Sequence, residues 1–243
     1  MATREPTILA TSGGLRRGRR TWNGLGPLIS FAIELSGAEG SPRVCFVGTA
    51  TGDQRWQAAL FGEACAESGV TPAFLHLFPM PNVDDMAAHL LAQDVVWVGG
   101  GSVANLLALW RLHGLDTIFE EVWRAGVVLA GVSAGSICWH SGGTTDSFGP
   151  TLRPVGGLGL LPYSNGVHYD NELQRRPLFQ KLIGAGELPD GYATDDGVGL
   201  HYAGTALVEA VTEVRGKGAY AVRREGVVAV EERIEPRVLP GVD

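Results

Sequence analysis

Short β-branched runs alternate with longer stretches of helical periodicity through the first half of the chain, and this alternation narrows the fold more than any other feature. The runs are Thr7–Ala10, Arg43–Val47, Ala73–Leu77, Asp94–Val98 and Val127–Gly131. Between them, Asp53–Ser68 places Trp56, Leu60, Ala64 and Cys65 on one face, the stripe of a helix packed along one side. Val83–Leu91 and Val103–Leu112 read as further helices, the former capped by Asn82 with Asp84 and Asp85 in its first turn. Strand and helix in regular succession require crossover connections, hence a parallel sheet covered on both faces. Val-Val-Trp-Val at 95–98 is apolar without alternation, as a strand buried on both faces is. The expected class is α/β, a three-layer α/β/α arrangement around a mostly parallel, doubly wound sheet.

After Gly131 the pattern changes. Residues 141–166 are rich in Gly, Thr, Ser and Pro and show little periodicity, which predicts a long irregular loop of the functional kind. Strand-like pieces return at Gly199–Tyr202, Ala206–Val211, Ala219–Arg223 and Val227–Val230, with turns at Gly216–Gly218 and Glu225–Gly226. They predict a small antiparallel extension at the sheet edge. No linker divides the chain, so residues 1–243 read as one domain, long enough to bury a stable core without staples.

Composition removes several classes of function. A formal net charge of −7 leaves no dominant basic field for a nucleic-acid duplex. No apolar run approaches the roughly 18 residues a membrane span needs, so no membrane partner is expected. The first strand-like run is too short and too close to Met1 for a signal-peptide core. Cys45, Cys65 and Cys138 form no spaced motif and sit in apolar segments, which fits reduced thiols in a cytoplasmic protein. Trp22, Trp110 and Trp123 leave room for a homodimer contact.

The segment Val127–Trp139 carries the strongest chemical signal. An apolar strand runs into Gly131-Val132-Ser133-Ala134-Gly135 and then into a helix-compatible stretch, the strand–turn–helix setting in which a serine nucleophile is presented. Small neighbours let strand and helix approach while the serine takes a strained backbone conformation. The turn also sets the hydroxyl at a helix N-terminus, which favours developing negative charge.

A serine needs a base. His140, seven residues on along the same expected helix, would lie about 10 Å away along the axis. His76 falls in a strand, and His89 and His113 fall in helices. His201 lies in a strand and ranks a distant second to His168, which follows an irregular segment and begins a polar stretch. The Ser133 hydroxyl and the His168 imidazole are expected within proton-sharing range. For the carboxylate that orients the ring, Asp146 is first choice, with Asp170 and Glu172 as alternatives. Val98-Gly99-Gly100-Gly101-Ser102 ends a strand and opens a helix, so the Gly100 and Gly101 backbone with the Ala134 amide forms a candidate oxyanion hole. This loop lacks the Lys-Ser/Thr of a nucleotide P-loop and the spaced third glycine of a dinucleotide fingerprint.

Gly99-Gly100-Gly101-Ser102, Gly131-Val132-Ser133-Ala134-Gly135-Ser136, Thr144-Thr145-Asp146 and Val167-His168 together resemble peptidase E and its relatives, including the cyanophycinases. The likeness runs from Thr7 to Gly197. It implies a class I glutamine-amidotransferase-like, flavodoxin-like fold and a serine exopeptidase acting on short peptides, with no metal or cofactor. In that reading Ser133 is the nucleophile, His168 the base and Asp146 the acid. Peptidase E cleaves dipeptides with N-terminal Asp, and recognition of that side chain would fall to a cation such as Arg175, Arg176 or Arg153, with Glu172 nearby. Asp195-Asp196-Gly197 reads as a structural turn. The rivals are a cyanophycinase-like hydrolase of β-aspartyl-arginine, an esterase of the α/β-hydrolase type, and a catalytically silent amidotransferase-like binding protein.

Overall fold

The computed structural model describes residues 5–242. The first half of the chain supplies β1 (Thr7–Thr11), a short ribbon of β2 (Leu15–Arg16) and β3 (Gly24–Leu25), then β4 (Arg43–Val47), β5 (Thr71–Leu75), β6 (Val95–Val98) and β7 (Val128–Val132). Its helices are α1 (Pro27–Ser36), α2 (Arg55–Ser68), α3 (Met86–Leu91), α4 (Val103–Leu112) and α5 (Leu115–Arg124). The second half opens with a single turn, α6 (Ala134–Ile137), followed by β8 (His140–Thr145), β9 (Arg153–Gly156), β10 (Leu161–Gly166) and α7 (Arg175–Ala185). It closes with β11 (Gly191–Thr194), β12 (Val198–Ala203), β13 (Ala206–Thr212), β14 (Ala219–Glu225), β15 (Val228–Ile234) and β16 (Arg237–Val238).

The main sheet has eight strands in the order β16-β13-β12-β1-β7-β6-β4-β5. Its centre, β1-β7-β6-β4-β5, is parallel throughout, and β12 and β13 add the antiparallel edge. Pro72 fits in β5 because that strand is the sheet's outer edge, where a missing amide costs no ladder bond. One face packs α1 and α2, the latter through Phe61, over Phe46 and Trp97. The opposite face packs α4, α5 and α6 over Val96, Val98 and Leu129, around a cluster of Trp110, Phe119 and Trp139. The three-layer α/β class is therefore as expected. Trp110 and Trp123 are buried in this core, so they are not available for a subunit contact; Trp22 is exposed.

The expected loop at 141–166 instead supplies half the strands of a second sheet. β8, β9 and β10 pair with β11, β14 and β15 in the order β15-β14-β11-β10-β8-β9. Its Gly and Thr residues hide the strands from a periodicity test, but they let backbones close up. A Cβ on Gly143 would sit 2.4 Å from the Asn165 carbonyl oxygen, so only glycine allows this pairing. Only the first part of the predicted antiparallel tail extends the main sheet; β14 and β15 belong to the second, with α7 packed on them through Phe179, Leu182 and Ile183. The helix after β6 begins at Val103 as read, with Ser102 accepting the Asn105 amide. The helix near 83–91 is capped by Asp85 rather than Asn82, whose amide bridges His76 and Phe74 instead.

Candidate active site

β7 delivers Ser133 at the carboxyl end of the parallel sheet, with φ 58° and ψ −111°. A non-glycine residue at positive φ is strained by about 1–3 kcal/mol and persists only where its surroundings enforce it. The enforcement is visible in the neighbours. A Cβ on Gly135 would lie 2.2 Å from the Val98 carbonyl oxygen, and one on Gly131 would lie 2.5 Å from the Gly135 carbonyl oxygen. The Ser133 amide is tied to the Thr11 carbonyl at 3.0 Å, and the Ser133 carbonyl accepts the Ser136 and Ile137 amides. The helix that follows is one turn only, so a long helix dipole does not contribute here; individual amides do.

The Gly-Gly-Gly loop lies against this serine. A Cβ on Gly100 would be 3.3 Å from Ser133 Cβ and 3.9 Å from its Oγ. Gly99 N–H donates to the Val47 carbonyl and Ser102 N–H to the Ala50 carbonyl, which pins both ends of the loop. Among the described residues, the Gly100 and Gly101 amides between them have no protein acceptor. Gly101 has φ +136°, and a Cβ there would strike the Ala50 carbonyl at 2.6 Å, so the loop's path depends on glycine.

His168 follows β10, also at positive φ (53°). Ser12 at the end of β1 accepts its amide at 3.2 Å, and the His168 carbonyl accepts the Asn171 and Glu172 amides. The ring Nδ1 meets Asp196 Oδ1 at 2.5 Å. Asn171 donates to the other Asp196 oxygen at 3.0 Å, and Asp170 accepts the Asp196 amide at 2.9 Å. Lys217 holds Asp170 in turn. Partial burial pushes the Asp170 carboxyl up, but the Lys217 ammonium and the Asp196 amide outweigh it and leave the group below its ordinary range. Beneath them, Asp195 accepts from the Gly218 amide and the Tyr220 hydroxyl, with burial pushing its carboxyl above the ordinary value.

The carboxylate on the imidazole is therefore that of Asp196, not Asp146, Asp170 or Glu172. Asp146 lies after β8 and looks into the cavity from the side of Ser147 and Arg175. Chain order and loop proximity favoured it, but the connection from β11 to β12 returns Asp196 beside the ring. The Asp-Asp-Gly turn was the available signal, and it serves as a turn and as a carboxylate donor at once. His140 heads β8, fully buried, with Nδ1 against the Ser136 carbonyl, and burial lowers its pKa to about 4. His201, on β12, faces Glu209 of β13.

Ser133, Ala134, Gly101, Ser102, His168, Asp146, Glu172 and Arg175 line one polar cavity of about 370 Å³. Ser133 Oγ and His168 share this cavity without a direct hydrogen bond between them. Such bonds often tighten only when substrate is bound. Arg175 is buried and spoken for: its guanidinium donates to Thr144 and pairs with Glu172. Burial pushes it below its ordinary value, against the pull of Glu172 and Asp146. Arg176 points elsewhere, paired with Glu231 and lying over the Tyr169 and Tyr220 rings. Arg153 is exposed on β9.

Together these features describe an α/β protein that presents a strained serine at the carboxyl edge of a parallel sheet, beside a carboxylate-supported histidine. The chain belongs to Peptidase family S51, whose model matches residues 8–209. It is 44% identical over 181 residues to the uncharacterized peptidase YgaJ of Bacillus subtilis (strain 168), spanning 74% of this chain and 78% of that one. To Peptidase E of Streptomyces coelicolor it is 30% identical over 129 residues, about half of each chain. Among solved structures, a peptidase from an acI-B1 Actinobacterium aligns with a TM-score of 0.67 at 15% identity, over 97% of this chain and 96% of its own. A putative Peptidase E protein from Listeria monocytogenes EGD-e aligns with a TM-score of 0.56 at 17% identity, over 95% and 100%. At those identities the two structures speak for the fold.

Proposed function

We propose that this chain is a serine exopeptidase of short peptides, with Ser133 as nucleophile, His168 as general base and Asp196 as the group that orients the ring. The observation that carries the proposal is the strained Ser133, sharing one cavity with an imidazole whose Nδ1 is occupied by a carboxylate. With Nδ1–H donating to Asp196, Nε2 is left as the basic nitrogen. It takes the Oγ proton as Oγ attacks the scissile carbonyl. The resulting oxyanion is met by the Ala134 amide and the amides of Gly100 and Gly101. Collapse breaks the C–N bond, and His168 gives its proton to the departing amine. Water then repeats the sequence on the acyl-enzyme and frees Ser133.

Asp146 and Glu172 outnumber Arg175 in the chamber, a balance suited to a substrate ammonium group, as an exopeptidase acting at an N-terminus requires. N-terminal Asp, as in peptidase E, would need a cation, and Arg175 is the one candidate from the sequence that reaches the chamber. Three buried free cysteines, two of them pushed up to about 12 by burial, suit a reducing compartment such as the cytoplasm. Among the described residues no helix is long and apolar enough to cross a membrane.

Ser133→Ala is expected to abolish peptide hydrolysis while leaving the melting curve intact, and a fluorophosphonate probe is expected to label Ser133 in the wild type. Full hydrolysis by Ser133→Ala on the best peptide overturns the assignment. Absence of both labelling and turnover identifies a silent binding protein. A panel with Asp-X dipeptides and β-Asp-Arg separates the dipeptidase from the cyanophycinase-like reading.

A further inference from the structure

A second cavity, about 580 Å³, opens on the other side of the ridge formed by Gly100 and the end of β7. Gly100 and Asp196 stand on its margin, and His168 lines both it and the polar chamber, so the two cavities adjoin at the imidazole. Its walls are of another kind. Buried Phe46 and Trp97 line it together with Leu15, Leu60 and Trp56. Gly14 makes room for Trp97: it has φ +150°, and a Cβ there would strike the Trp97 ring at 2.4 Å. Trp56 is 58% exposed, yet its indole N–H donates to Gln54 at 2.7 Å, which holds the ring in place at the mouth.

Among the described residues lining this cleft there is no Lys or Arg, and its carboxylate, Asp196, is already engaged by His168 and Asn171. An acidic side chain entering here would shed water beside a like charge and meet only the neutral donors of Ser12, Asn23 and Gln57, with no cation to pair it. An apolar one would exchange water for Phe46, Leu60 and the two indoles. With Ser133 taken as the nucleophile, as above, we propose that this cleft is the subsite for an apolar or aromatic side chain on a residue flanking the scissile bond. The preferred substrates are then short peptides carrying Leu, Met or Phe at that position rather than Asp.

Two dipeptide series, X-Ala and Ala-X with X as Ala, Leu, Phe or Asp, test the assignment on wild type, Trp56→Ala and Gln57→Arg. In one series kcat/KM for Phe or Leu is expected to exceed that for Ala by about tenfold or more, with Asp lower still. Trp56→Ala shrinks the Phe-to-Ala ratio about tenfold, and Gln57→Arg raises Asp relative to Phe. Both positions reach the surface, and melting curves confirm that the variants fold. A wild-type profile that is flat or favours Asp overturns the subsite, as does an equal loss on every substrate in Trp56→Ala; both leave the nucleophile assignment standing. No hydrolysis of any dipeptide also overturns the subsite, and if Ser133 then fails to react with a fluorophosphonate the serine-peptidase reading falls with it.

Discussion

Ser133 and His168 occupy one cavity but are held there by opposite means. The serine is fixed by backbone: a parallel strand, two glycines against carbonyl oxygens, and amides tied within a few residues or to the adjacent strand. The histidine is fixed by side chains, Ser12, Asp196 and Lys217 from far along the chain and Asp170 and Asn171 from close by, in contact or one step removed. The first support tolerates almost no added atom. The second tolerates changes of shape but not changes of hydrogen-bonding character. Packing sets the position of the serine, and polar matching sets the orientation of the imidazole.

The sharpest way to break this contrast is Asp196→Asn, which keeps the volume but removes the charge and replaces one acceptor oxygen with a donor NH2. It is expected to lower kcat/KM by about 10³-fold or more with little change in melting temperature. If the loss is under tenfold, Asp196 is not the orienting group. Gly135→Ala reverses the pattern: a methyl driven against the Val98 carbonyl should cost about 3 kcal/mol of stability, and melting by circular dichroism reads it directly. A stable Gly135→Ala protein would mean that the serine turn has room the geometry denies.

Asp146→Asn is expected to change kcat by less than about tenfold, because its carboxylate does not touch the imidazole; a loss as large as that of Asp196→Asn would restore Asp146 to the triad. The smallest effect belongs to Lys217→Met. The wild-type pair holds Asp170 below its ordinary range, so its stabilisation is present above the ordinary carboxyl pKa and is lost as pH falls through the depressed value. The variant should therefore melt slightly lower at pH 7, by about 0.5 kcal/mol, and match wild type in strong acid. An equal deficit at both pH values would show that Lys217 acts through packing.

The same contrast explains what the sequence disclosed. The parallel centre of the main sheet, the serine turn and the glycine loop were legible because each is a local pattern: apolar β-branched runs, and glycines at fixed offsets from a serine. His168 emerged by elimination among six histidines. Asp196 did not emerge, since a carboxylate 28 residues from its partner leaves no periodic trace and its Asp-Asp-Gly setting satisfies a turn equally well. The second sheet was hidden for a related reason: β8 and β10 are rich in small and polar residues because their backbones pack closely, which removes the hydrophobic signature of a strand. Arg175 and Arg176 are adjacent in sequence but diverge at the start of α7, one inward to Thr144 and one outward to Glu231, a split that composition cannot foresee.

The chain passes between its two sheets four times, and the first three passages each leave something at the same place. Going out after β7 it deposits the hydroxyl; coming back before β12 it deposits the carboxylate; going out again before β14 it deposits Lys217 and the amide that grips Asp195. The proposed hydrolytic machinery is thus stitched into the seam between the sheets rather than into either one. Loosening that seam would silence the enzyme while each sheet, taken alone, still looked whole.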